Sequence, residues 1–101
     1  MEKRPYTKKI SYLKNYITNE YICLNFPIIF EINIEPNGFY YTNKEYNIYA
    51  YGTTQEDAEL DIFNEFEFQY KEYAMENDEN LDKNAKELKY RLLAIFGGKN
   101  A

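Results

Sequence analysis

The sequence contains no histidine and no tryptophan, and only one serine and one cysteine. Without histidine neither a Ser-His-Asp nor a Cys-His relay can be assembled, and the commonest zinc ligand is missing. The lone serine, Ser11, lies outside any G-x-S-x-G turn. Cys23 has no partner for an internal disulfide, which fits a reducing compartment. Flanked by Ile22 and Leu24, it reads as a small buried hydrophobe rather than a nucleophile. The four glycines fall at a hairpin, a strand end and a helix end, so no phosphate-cradling loop is expected. No apolar run approaches the ~20 residues of a membrane span. Met1-Glu2-Lys3-Arg4 is followed by no apolar stretch of the signal-peptide kind. The expectation is a cytoplasmic chain with no membrane association, no catalytic residues, no metal and no cofactor.

What is abundant is tyrosine (12) and phenylalanine (7). Each aromatic buries a large area, so a modest core can be built from few of them. At 101 residues one domain is expected, burying roughly 60–70% of its unfolded surface. Tyrosine needs a hydrogen-bonded or wet end, so many of the 12 belong at the core edge. An aromatic binding surface is one reading of the excess. The plainer one is AT-rich codon usage, since Asn, Lys and Ile are abundant too, and it is preferred. The net charge of −5 disfavours direct nucleic-acid binding, which wants a basic face. It suits a basic protein partner, or simply a soluble acidic chain.

Residues 1–9 are polar and basic and read as a mobile arm. Between Ile10 and Tyr21 helical spacing (Ile10, Leu13, Ile17) competes with strand-favouring Tyr, Ile and Thr, leaving a short irregular or extended segment. From Ile28 to Glu35 the alternation is strict: Phe30, Ile32 and Ile34 toward the core, Glu31, Asn33 and Glu35 toward water. Pro36-Asn37-Gly38 makes a tight turn, with Asn-Gly supplying the positive φ values of a hairpin. Phe39–Thr42 returns, Asn43-Lys44-Glu45 turns again, and Asn47–Tyr51 is a third strand. Gly52 then releases the chain from the sheet. Thr54 is the expected N-cap, with Asp57 three residues on and Glu56, Asp57 and Glu59 favoured by the helix dipole. The helix runs to about Met75 along an Ala58, Ile62, Phe66, Tyr70, Tyr73 stripe broadened by Phe63. Phe68 lies off the stripe, either under a second helix or free for a partner. After a polar break at Glu76–Asn80, Asp82 caps a second helix with a Leu81, Ala85, Leu88, Leu92, Ile95 stripe, ended by Gly97-Gly98. Residues 97–101 are expected to fray. The fold class is therefore α+β: a three-stranded, or four-stranded, antiparallel sheet followed by two helices, in one domain spanning 10–96.

The carboxylates suggest two chemistries. A metal-dependent nuclease would use strand and helix carboxylates, here Glu31 and Glu35 with Glu56, Asp57 and Glu59. No second cluster at recognisable spacing supports it, and alternating Glu is ordinary on a wet strand face. The other feature is the outside of the first helix, where Asp57, Asp61, Glu65 and Glu72 recur at helical spacing beside Glu67 and Glu76. A solvated helix face is the plain reading. The sharper one is a partner-binding surface of Asp57, Asp61, Glu65, Phe68 and Glu72 for a basic protein, or a mimic of a nucleic-acid phosphate array.

The order of these elements resembles the HicB-like antitoxins. Asn37-Gly38-Phe39-Tyr40 is similar to that family's DGFY-like turn, and Gly52-Thr53-Thr54-Gln55-Glu56-Asp57-Ala58 to its G-D-T-L-E-E-A junction. The likeness covers roughly residues 28–75. The family's P-x-x-P-G-C/L segment is replaced by Asn43-Lys44-Glu45-Tyr46-Asn47, and the second helix, Asp82 to Phe96, is expected to occupy the place of the family's DNA-binding module. The resemblance implies a reduced RNase H-like sheet-and-helix domain without catalytic carboxylates. It also implies a small basic HicA-like ribonuclease toxin as partner, whose active site the antitoxin blocks. The expected function is thus a non-enzymatic protein-binding module of antitoxin type. The alternatives are an acidic phage or mobile-element inhibitor that mimics nucleic acid, or an orphan member with another binding role. Open edges in so small a sheet invite pairing, so a homodimer is expected.

Overall fold

The computed structural model describes residues 6–96. Four strands, β1 (Tyr6–Asn15), β2 (Glu20–Glu35), β3 (Gly38–Asn43) and β4 (Ile48–Gly52), precede two helices, α1 (Gln55–Gln69) and α2 (Lys83–Phe96). The strands lie in one antiparallel sheet in chain order, β1-β2-β3-β4. The fold is α+β, with the four-stranded form of the expected sheet.

The added strand is β1. Tyr6 to Lys9, expected in a mobile arm, pair with Ile32 to Ile29; residues 1–5 lie outside the described range. The ambiguous Ile10–Tyr21 segment is the end of β1, a turn, and the start of β2. Asn15 builds that turn, its Oδ1 accepting from the backbone N–H groups of Ile17 and Thr18, and Asn19 takes φ 63°. Pairing jumps from Ile10↔Ile28 to Tyr12↔Cys23. One residue of β1, Ser11, thus faces the four residues Leu24 to Pro27 of β2, a bulge that destroys the period-two pattern there. Cys23 is exposed, not buried. In a strand, neighbours at i±1 point to the opposite face, so the buried Leu24 beside it leaves Cys23 facing outward.

Beyond the bulge the alternation holds. Phe30 and Ile32 are fully buried, and Glu31 and Glu35 exposed. At the β2–β3 turn Glu35 pairs with Gly38, and Gly38 alone there takes a positive φ (151°), Asn37 having none. The β3–β4 turn is anchored by the buried Tyr46, whose N–H donates to Asn43 Oδ1 at 2.8 Å.

α1 packs on the inner face, chiefly against β4 and then β1. Its buried residues are Ala58, Ile62, Phe63, Phe66 and Gln69. A π-helical turn, Tyr70–Ala74, continues it. The wider turn moves the buried position on by about one residue, so Ala74 is buried and Tyr73, expected in the stripe, is half-buried. α2 packs against this turn and β2, burying Leu92 and Ile95. Edge-to-face contacts of Phe66 with Tyr46 and Phe96, and of Phe96 with Tyr70, join both helices to one core. Asp82 caps α2, accepting from Ala85 N–H at 2.8 Å. The expected Gly97-Gly98 cap and frayed end lie outside the described residues. Among the described residues no helix is long and apolar enough to cross a membrane.

Candidate functional site

The junction from Gly52 to Ala58 sets the position of α1. Thr54 adopts extended backbone and its side chain accepts from Asp57 N–H at 3.0 Å, so it is the N-cap. Asp57 in turn accepts from the Thr53 hydroxyl at 3.2 Å. Glu56 and Asp57 occupy the first turn, where the dipole favours negative charge. From this start, 100° per residue places Asp57, Asp61, Glu65 and Phe68 within an arc of about 80°. Glu72 follows in the π-helical turn. Asp57 and Glu72 are exposed, Asp61 and Glu65 half-buried, and Phe68 is 56% exposed, so α2 does not cover it.

The strip lies beside β4, which is an edge strand. Asp61 fixes that relation: its Oδ2 accepts the backbone N–H of Tyr51 at 3.0 Å. On the same strand Tyr49 and Tyr51 are exposed, while Ile48 and Ala50 are buried. Tyr51 stacks at a tilt on Tyr40 with centroids 4.8 Å apart.

One charged cluster escaped sequence reasoning. Glu59 receives hydrogen bonds from Lys8 Nζ at 2.6 Å, Tyr41 Oη at 3.1 Å and Tyr16 Oη at 3.2 Å. Its side chain is 19% exposed. Burial first, and then the Glu59 charge, push the Tyr41 hydroxyl up and the Tyr16 hydroxyl up to about 12. Glu59 therefore joins α1 to β1 and β3 as a positioning group, beside a cavity of about 150 Å³ lined by Lys8, Ile10, Leu13 and Ile62. A carboxylate directly after a stripe residue, Ala58, was the available signal. Its partner Lys8 gave none, since a lysine among polar neighbours looks like an arm.

β2 directs Glu31 and Glu35 to the face opposite α1, so they do not meet Glu56, Asp57 or Glu59. Among the described residues no group of three Asp, Glu, Cys or His side chains is placed to hold a metal ion. Comparison with family models, with curated proteins and with solved structures found no match. Fold and site define a class: an α+β domain whose first helix presents an acidic, phenylalanine-bearing flank beside an open sheet edge.

Proposed function

We propose that this chain is a non-enzymatic protein-binding module that docks a basic protein on the acidic flank of α1. The observation that supports it is the arrangement of Asp57, Asp61, Glu65 and Phe68 in one arc, with Phe68 left in water at its C-terminal end. An exposed aromatic between the carboxylates of Glu65 and Glu72 offers a partner an apolar anchor and electrostatic steering together. The resemblance to HicB-like antitoxins names a candidate partner class, a small basic ribonuclease held inactive.

Co-purification from the native host identifies the partner. Asp61 is tied to β4, so the cleaner charge reversal is Asp57, Glu65 and Glu72 to Lys. We expect association to slow at least about tenfold at low salt and its salt dependence to flatten. Unchanged kinetics in that triple variant would remove the electrostatic reading. Competition by DNA for the captured partner would favour the phosphate-mimic alternative.

A further inference from the structure

We propose that β4 is the docking strand itself: the partner adds an extended, lysine- or arginine-bearing segment to the open sheet edge, beside the α1 carboxylates. This rests on the acidic-flank reading above and gives it a geometry.

β4 ends the sheet order, so among the described residues one of its sides has no neighbouring strand. The bond from Tyr51 N–H to Asp61 shows which way that side points. Backbone groups two residues apart point the same way in a strand, so the N–H and C=O of Tyr49 face that side as well. An arriving strand has these groups and the Tyr51 carbonyl to pair with. Its side chains alternate between the tyrosine face, where Tyr49 is 61% exposed, and the α1 face, where Asp57, Asp61 and Glu65 lie. That alternation is how strand addition combines main-chain affinity with side-chain selection.

Charge selects the occupant. The opposite edge, β1, carries Lys9 and Lys14 besides the ion-paired Lys8, and these repel a basic segment and guard an edge against pairing. A second copy joined β4 to β4 by a twofold axis would bring two acidic flanks side by side, which like-charge repulsion opposes. A basic strand meets the opposite charge and relieves the crowding of carboxylates.

The test uses the full chain and a short peptide of alternating lysine and valine, titrated at low salt and followed by backbone amide NMR. The Tyr49 and Tyr51 amides should shift, and Tyr49 N–H exchange should slow about tenfold or more. A version N-methylated at alternate peptide bonds keeps every charge but loses one edge of donors. It should bind about tenfold more weakly. Equal binding of both peptides, with shifts confined to α1, overturns strand addition and leaves the acidic-flank reading standing. Binding of neither peptide, while the charge-reversed triple variant still loses its native partner, overturns strand addition alone. If that variant also binds normally, both readings fall. Concentration-dependent protection of Tyr49 N–H before any peptide is added overturns the proposal in favour of a second copy.

Discussion

Gly52 has a different importance from the one its place in the sequence suggests. Its φ is not in the left-handed region; the constraint is contact. A Cβ there would lie 2.2 Å from Ala58 N and 2.5 Å from Asp57 C, both backbone atoms unable to yield. The end of β4 and the start of α1 touch through this residue. Gly52→Ala should therefore cost about 3 kcal/mol, measurable by urea denaturation, through overpacking rather than lost turn freedom. Glu59 is a second such residue. In Glu59→Gln the buried Tyr41 hydroxyl keeps an acceptor but Lys8 loses its ion pair, and we expect a loss of about 1–2 kcal/mol by the same measurement. Sequence patterning identified Gly52 as a junction and left Glu59 as one more acid of a first turn. What distinguishes Glu59 is contact with residues 51 and 43 positions earlier, which no local pattern encodes.

Elements were legible where one face is buried and the other wet. The second half of β2, both later strands and both helix starts follow alternation or capping rules, and Thr54 and Asp82 cap as their side chains imply. Thr54→Ala should lose about 1 kcal/mol, read from the shift of the urea midpoint at unchanged slope. β1 and the first half of β2 were not legible, for a physical reason. Tyr21, Ile22, Cys23, Asn25 and Phe26 are all exposed, so no packing imposed a period of two, and the Leu24–Pro27 bulge broke the phase that remained. The π-helical turn was equally invisible. It shifts burial from Tyr73 to Ala74, and both residues are plausible in a stripe. Of the candidate site, helical spacing singled out Asp57, Asp61, Glu65 and Glu72, and Phe68 only as a residue off the apolar stripe, while the neighbouring sheet edge is visible only in three dimensions.

At the scale of the whole molecule, charge is segregated. β1 holds Lys8, Lys9 and Lys14, whereas α1 holds Glu56, Asp57, Glu59, Asp61, Glu65 and Glu67. Alkaline conditions should expose this imbalance. Tyr16 and Tyr41 have hydroxyls held above the ordinary value of 10.0 in the folded chain. The unfolded chain then gives up these protons first, so folding stability is intact below pH 10.0 and falls as pH rises toward about 12. Far-UV circular dichroism should record loss of structure across that window, made worse by the growing negative charge of a chain already at −5. Glu59→Gln should reduce the pH dependence, because tyrosinate no longer forms beside a carboxylate.

Because the sheet order equals the chain order, every strand pairing is a hairpin closed by a short turn. Assembly needs no crossover and little loop-closure entropy until α1 reaches back to β1. The ion pair of Lys8 with Glu59 spans 51 positions, so that step is the topologically distant one. The meander should therefore gain structure early and quickly, and helix docking onto β1 should set the overall refolding rate. Substitutions that weaken the Lys8–Glu59 contact would then slow refolding as well as speed unfolding.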